Sequence, residues 1–122
     1  MLSLSEALEL NSQLPEIHYN LAVIFQTWGE WDFAAHHYQA AIAHQPSYAK
    51  AYFNWGVLNV NQGRYALAAA CYQQAIAYQP DYLNAYLNLG SLLLHQKDEE
   101  SAIIFYQRQL NSFPLMQDYT IT

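Results

Sequence analysis

The chain repeats itself at a fixed interval, and this repeat period constrains its fold more than any other feature. Prolines recur at equal spacing, as Pro46, Pro80 and Pro114, in a sequence of 122 residues. An alanine lies twelve residues before each proline, and a tyrosine lies eight before it. They are Ala34, Ala68 and Ala102, and Tyr38, Tyr72 and Tyr106. A fixed period of roughly 34 residues indicates a solenoid, in which each unit is one supersecondary element stacked on its neighbours.

Each unit has the spacing of two amphipathic helices. Near its start, a ring residue is followed by an apolar residue at the third position and a small residue at the fourth. These triplets are His18/Leu21/Ala22, Tyr52/Trp55/Gly56 and Tyr86/Leu89/Gly90. Residues three and four apart share one helix face, so the small residue marks where the paired helices come closest. The pattern predicts first helices near residues 15–28, 48–62 and 82–96, and second helices near 31–44, 65–78 and 99–111.

Turn residues separate the predicted helices. Gly29 and Gly63 fall where first helices end, a position that favours the left-handed conformation that glycine adopts freely. Lys97 takes this place in the third unit, at a cost of about 1 kcal/mol if the site is left-handed. The prolines end the second helices, and Ser47 and Asp81 are expected to cap the helices that follow.

The repeat resembles the tetratricopeptide repeat (TPR), whose pattern is W-x2-L-G-x2-Y, then A-x3-F, then P. The three versions here begin H-x2-L-A-x2-F, Y-x2-W-G-x2-N and Y-x2-L-G-x2-L, and each continues with A-x3-Y and P. The resemblance extends from Pro15 to Met116. It implies an all-α fold, a right-handed α-solenoid of antiparallel helix pairs.

The resemblance divides the chain into three repeats, residues 15–48, 49–82 and 83–116. Ala7-Leu8 recurs as Ala41-Ile42 and Ala75-Ile76, so we expect residues 1–14 to be the second helix of a preceding repeat. Residues 117–122 would form a tail or begin a further helix. Because neither end is a complete unit, we expect the chain to be a fragment of a longer protein.

The charge balance excludes several classes of partner. The formal net charge is −6, and the fixed cations are Lys50, Arg64, Lys97 and Arg108. Nucleic acids and anionic membranes require clustered basic residues, so neither is an expected partner. No apolar run approaches the roughly 18 residues of a membrane span. With one cysteine and no basic segment at the start, a cytoplasmic protein is expected.

No arrangement of residues predicts catalysis, a cofactor or a metal site. His36 and His37 point to different helix faces, and His37 and His44 lie two turns apart, about 10 Å by helical rise. His18 occupies a ring position and is expected to be packed and hydrogen-bonded. Cys71 has no neighbouring cation to lower its pKa, which favours an inert thiol. We therefore expect a non-enzymatic module without a cofactor.

A binding face follows from the resemblance, which implies that first helices line the concave surface of the stack. Residues of these helices that do not pack inward would face a groove. The candidates are Tyr19, Asn20, Val23, Lys50, Phe53, Asn54, Val57, Asn84, Leu87, Asn88 and Ser91. Tyr19, Phe53 and Leu87 are expected to be exposed, and apolar residues exposed on one face usually mark a contact site.

Asn20, Asn54 and Asn88 place one amide per repeat on this face. Packed helices lie roughly 8–10 Å apart and an extended chain rises about 3.3 Å per residue, so each amide would meet every third residue of a peptide. This ladder is similar to the asparagine ladder in the repeat arm of O-linked N-acetylglucosamine transferases, which the resemblance implies holds peptide main chains. The alternative is that each asparagine only stabilises its helix or hydrogen-bonds to its neighbour.

The face therefore predicts an interaction module that holds an extended, mostly uncharged peptide. TPR domains that clamp acidic chaperone tails use Lys, Arg and Asn, and of the equivalent residues Tyr19, Val23, Asn54, Asn84 and Asn88 only Asn54 is of the expected type. One alternative is a spacer that self-associates through its solenoid ends, using Leu2, Leu4, Leu8 and Leu10. Another is the targeting arm of a larger enzyme, such as a glycosyltransferase.

Overall fold

Six helices follow one another along the chain in a computed structural model. It describes residues 3–112, apart from the side chains of residues 4, 5, 7–12 and 112. The helices are α1 (Leu4–Thr27), α2 (Trp31–His44), α3 (Ala49–Asn61), α4 (Tyr65–Tyr78), α5 (Leu83–His95) and α6 (Glu99–Ser112). Each helix packs against the next, which builds three helix pairs, α1/α2, α3/α4 and α5/α6. The all-helical, pairwise fold predicted from the repeat is confirmed.

Small residues let the paired helices approach closely. Ala22, Ala34, Ala68 and Ala102 are fully buried. A Cβ atom at Gly56 would lie 2.7 Å from Cε1 of Tyr72 on α4, closer than real atoms pack. The predicted close approach at the small residue of the first helix is therefore confirmed.

The turns inside the pairs adopt the backbone conformation that the sequence predicts. Gly29 has φ = 78° and Gly63 has φ = 75°, both in the left-handed region. Lys97 replaces this glycine at the end of α5 and has φ = 61°. The third repeat therefore carries a side chain where the other two use glycine, and its backbone is strained there.

Two local predictions need correction. Helix α1 runs without a break from Leu4 through Pro15, whereas the sequence predicted a new helix near residue 15. One repeat period before Pro46 the chain has Ser12, so no proline stands where α2 and α4 end, and the helix continues through Pro15. Helices α3 and α5 are capped at Tyr48 and Tyr82 without a side-chain hydrogen bond, so the expected caps at Ser47 and Asp81 are wrong.

Some predictions fall beyond the described part of the chain. They are the turn at Pro114, the tail at 117–122, and the side chains of Leu2, Leu4, Leu8 and Leu10. Among the described helices, none is long and apolar enough to cross a membrane.

Candidate functional site

The eleven predicted binding residues lie on α1, α3 and α5, and the surface that these helices form is called here the first-helix face. Six of them are exposed: Asn20, Val23, Lys50, Asn84, Leu87 and Ser91. Four are partly buried: Phe53, Asn54, Val57 and Asn88. Tyr19 alone of these eleven is buried. The face is thus mostly open, and of its four amides only Asn54 and Asn88 are partly buried.

Two cavities open on this face, one repeat apart. The first, of about 480 Å³, lies among α1, α2 and α3 and is lined by Tyr19, Val23, Gln26, Thr27, Tyr38, Asn54 and Asn61. The second, of about 310 Å³, lies among α3, α4 and α5 and is lined by Val57, Val60, Tyr65, Tyr72, Asn88, Ser91, Leu92 and His95. Three residues in the wall of the second cavity have the same type as residues one repeat period earlier in the first. They are Val57, Tyr72 and Asn88, which correspond to Val23, Tyr38 and Asn54. Six of the eleven predicted residues line one cavity or the other.

Each cavity has both an asparagine and a tyrosine in its wall. The Asn54 amide on α3 donates to the Tyr19 hydroxyl on α1, which joins neighbouring repeats. In the second cavity, burial raises the pKa of the Tyr72 hydroxyl, and the Asn88 side chain opposes that shift as a hydrogen-bonding group. The bond to a neighbour, which the sequence left open as an alternative, is therefore present at Asn54. A primary amide carries two N–H donors and a carbonyl acceptor, so one bond does not use its full capacity.

Tyr19 was expected to be exposed, and that prediction is wrong. The Tyr48 ring, from the turn before α3, stacks on it with ring centroids 5.4 Å apart. The Lys50 ammonium lies 5.0 Å from the centroid of the Tyr19 ring. Burial raises the pKa of the Tyr19 hydroxyl, although the hydrogen bond from Asn54 opposes the shift. Tyr19 therefore supports the cavity wall rather than offering a free ring.

The same arrangement recurs one repeat later. Phe53 takes the place of Tyr19 there, and Tyr82, which takes the place of Tyr48, lies against it with ring centroids 5.0 Å apart. Phe53 is consequently only partly exposed. Leu87, the third residue in this series, is 44% exposed, as predicted. Sequence reasoning missed Tyr48 and Tyr82, which cover these rings. The two tyrosines are one repeat period apart, so the repeat could have revealed them.

The first-helix face carries little positive charge. Within the described helices α1, α3 and α5, Lys50 is the sole lysine or arginine. Its ammonium is engaged with the Tyr19 ring, a cation–π contact. A strongly acidic ligand would therefore meet one cation here, and that cation already has an aromatic partner.

Histidines of the first repeat meet across the helix pair, which sequence reasoning did not foresee. His18 on α1 is partly buried, and its Nδ1 lies 3.0 Å from Nδ1 of His37 on α2. The His44 ring stacks on His18 with centroids 5.5 Å apart. The prediction that His18 is packed and hydrogen-bonded is confirmed. Spacing along α2 alone could not show that both His37 and His44 reach the same residue of α1.

Cys71 has the environment of an inert thiol. It is buried, and Nδ2 of Asn59 donates a 3.7 Å hydrogen bond to its Sγ. Burial raises the pKa of the Cys71 thiol to about 11, although the bond from Asn59 acts in the opposite direction. Because the thiolate is the reactive form, this cysteine is unsuited to nucleophilic chemistry.

Comparison with known families decides the classification. A tetratricopeptide repeat model matches residues 19–69 and 53–114. The chain belongs to the tetratricopeptide repeat family. That match is to a repeat module and not to an enzyme family. No curated protein sequence matches this TPR chain significantly.

Solved structures of TPR proteins share this fold. A crystal structure of MamA is 25% identical, with a TM-score of 0.76, over 80% of this chain and 57% of that one. The TPR2B domain of yeast Sti1, in complex with pHsp70, is 22% identical with a TM-score of 0.72, over 76% of this chain and 74% of that one. The first TPR of Spaghetti (RPAP3), bound to the HSP90 peptide SRMEEVD, is 21% identical with a TM-score of 0.73, over 84% of each chain. The present TPR chain thus spans little more than half of the MamA chain.

Proposed function

We propose that this TPR chain holds an extended, mostly uncharged peptide on its first-helix face. The observation that carries the proposal is the pair of equivalent cavities, one repeat apart, each with an asparagine in its wall. A repeated cavity suits a ligand that is itself repetitive, and the repeating part of a peptide is its main chain. Related TPR structures hold Hsp70- and HSP90-derived ligands, which supports a peptide as the ligand class.

The spacing of the repeats suits an extended chain. Neighbouring helices lie roughly 8–10 Å apart, and an extended peptide advances about 3.3 Å per residue. Residues three apart in the ligand would therefore reach Asn54 and Asn88. The unused donor and acceptor of each amide match a peptide carbonyl and N–H without regard to the ligand's side chains. Val57, Val60 and Leu92 line the second cavity and would receive an apolar ligand side chain.

The charge of the chain favours an uncharged peptide over an acidic one. A strongly acidic peptide would be opposed by the net charge of −6 and would meet only Lys50 on the first-helix face. An uncharged peptide meets neither difficulty. We therefore place the acidic HSP90 peptide SRMEEVD, which the RPAP3 domain binds, among the poor ligands of this chain.

Binding by selected peptides tests the proposal. Short peptides selected on the purified chain from a random library would be titrated against wild type and a triple Asn20→Ala, Asn54→Ala, Asn88→Ala variant. We expect affinity to fall by roughly tenfold or more, because each lost hydrogen bond contributes about 0.5–1.5 kcal/mol. Circular dichroism would first confirm that the variant folds, since Asn54 also bonds to Tyr19.

The chain supplies a matched control. Gln39, Gln73 and Gln107 form an equivalent series of exposed amides, one in each repeat, on α2, α4 and α6. The triple Gln→Ala variant removes as many amides from the opposite helices and should bind like wild type. Equal losses in both variants, or a clear preference for SRMEEVD over the selected uncharged peptides, would contradict the proposal.

Self-association is a second candidate, favoured by the apolar surface at the end of the α5/α6 pair. A cavity of about 290 Å³ lies there, lined by Leu83, Tyr86, Leu87, Tyr106, Gln109 and Leu110. A second copy could cover it. Sedimentation across the micromolar range would then show a concentration-dependent mass that Leu83→Gln and Leu110→Gln reduce. A constant monomer mass would remove this candidate.

A further inference from the structure

The contact between His18 and His37 joins the two helices of the first pair. Their Nδ1 atoms are 3.0 Å apart, while the ring centroids are 5.3 Å apart. With the nitrogens so much closer than the centroids, the two rings point their Nδ1 atoms towards each other. This is the geometry of one N–H···N hydrogen bond between α1 and α2.

The number of protons on the two histidine rings determines whether this hydrogen bond can form. Neutral histidine carries one ring proton, on either nitrogen, and charged histidine carries both. The contact forms when one Nδ1 is protonated and the other is bare, so it tolerates two neutral rings or one charged ring. When both rings are charged, two N–H groups face each other and no acceptor remains.

The surroundings add more positive charge as the pH falls. On α2, the His44 ring stacks on His18 and the His36 ring lies against His37, with centroids 5.5 Å and 5.2 Å apart. Phe25 of α1 stacks on His37 and adds no charge. Helix α3, which also packs on α1 and α2, brings Lys50, and the turn before it brings Tyr48, but both lie against the Tyr19 ring.

We propose that His18 and His37 form a pH-sensitive latch, which holds α1 on α2 at neutral pH and opens when both rings are protonated. The inference does not depend on which ligand the first-helix face binds. Opening would loosen the first repeat, including the α1 wall of the first cavity, while the later repeats remain packed.

A shared metal ion does not explain the contact. Zinc requires about 2.0–2.1 Å to each nitrogen, and no ion fits between two nitrogens that face each other at 3.0 Å. In the part of the chain that the structure describes, no group of three or more metal-ligating side chains could hold an ion.

The direction of the pKa shifts agrees with the latch. Burial and the neighbouring histidine charges lower the pKa of both His18 and His37 below their ordinary value of 6.5. The unfolded chain therefore binds more protons than the folded chain in this range, and stability rises with pH. The stabilisation is fully present above about pH 6.5 and is lost as the pH falls through the lowered pKa values.

The other repeats show how the latch can be replaced without disturbing the packing. His18 and His37 correspond to Tyr86 and Phe105 of the third repeat, whose ring centroids lie 6.0 Å apart. His18 and His44 correspond to Tyr52 and Tyr78 of the second repeat, whose rings stack in the same way. The first repeat therefore places titratable rings where these pairs use rings that do not titrate near neutral pH, whereas Cys71 takes the place of His37 in the second repeat.

Nitrogen NMR of the wild-type chain tests the latch directly. At pH 7.5 we expect one of the two rings to carry its proton on Nδ1 and the other to have a bare Nδ1. We also expect both rings to take up their second proton below pH 6.5, with shifts in α1 and α2 amide resonances. Nε2–H tautomers in both rings would overturn the proposal, as would independent titrations without any amide shift.

Thermal unfolding gives a second test with a matched variant. Wild type should lose roughly 4 °C or more in midpoint between pH 7.5 and 5.0, and His18→Tyr/His37→Phe should lose less than half as much. The reciprocal Tyr86→His/Phe105→His variant should gain acid sensitivity in the third repeat. Equal acid losses in wild type and the His18→Tyr/His37→Phe variant would contradict the latch. If that variant does not fold, the wild-type NMR result decides.

Discussion

Single residues set how closely the helices of each pair can approach. Gly56 lies against the Tyr72 ring, with no room for a Cβ atom, and Tyr72 is buried. The sequence predicts this because small residues recur at fixed positions on both helices. It could not predict that Tyr19 is buried or that Asn54 bonds to it, because both depend on how α3 and the turn before it pack on α1.

Gly56→Ala should destabilise the chain by about 1–3 kcal/mol, because an added Cβ forces the Tyr72 ring or helix α4 to move. Denaturant unfolding followed by circular dichroism measures the loss. Gly29→Ala is the control for backbone strain alone. Gly29 has no atom within 4 Å of an added Cβ but has φ = 78°, so we expect about 1 kcal/mol there. A Gly56→Ala variant as stable as wild type would contradict this, because it would show that the space between α3 and the Tyr72 ring can hold a methyl group.

Cys71 should resist alkylation in the folded chain. With its pKa raised to about 11, only about one thiol in a thousand is ionised at pH 8, and the side chain is also buried. Iodoacetamide labelling followed by mass spectrometry should be slow at pH 8 and become fast in denaturant. Rapid labelling of the folded chain would mean that α4 opens readily.

At the scale of helices, the repeat period predicts where most elements begin and end. Helices α2 and α4 have the predicted bounds, since a left-handed turn precedes each and a Gln-Pro pair follows. The start of α1 could not be predicted in this way because Ser12, not a proline, stands one repeat period before Pro46. The cap predictions failed because the turn is closed by backbone bonds, such as that from the Tyr48 N–H to the Gln45 carbonyl.

Lys97 occupies the turn position that is glycine in the other two repeats, and replacing it with glycine should stabilise the chain. Lys97→Gly places glycine at a residue with φ = 61°, so we expect a gain of about 0.5–1 kcal/mol. Lys97→Ala removes the same charge but keeps a Cβ, and should give no comparable gain. Thermal unfolding of both variants measures the difference. Equal effects would assign the change to charge and not to the backbone.

At the scale of the whole molecule, stacking repeats converts a sequence period into a spatial one. The same residue types return one helix pair later, so the two cavities have matching walls on the first-helix face. The sequence could predict which residues lie on α1, α3 and α5, because the repeat period fixes the helices. That they bind a ligand stays a prediction. How far each side chain is exposed to solvent could not be predicted, since exposure depends on contacts between neighbouring repeats.

The most direct test of the central claim is backbone NMR of the chain during titration with a selected uncharged peptide. We expect the largest amide shifts on α1, α3 and α5, around Val23, Asn54, Val57, Asn88 and Ser91. Residues on the outer surfaces of α2, α4 and α6, including Gln39 and Gln73, should shift little. Shifts confined to those second helices, or to the α5/α6 end, would contradict peptide binding on the first-helix face.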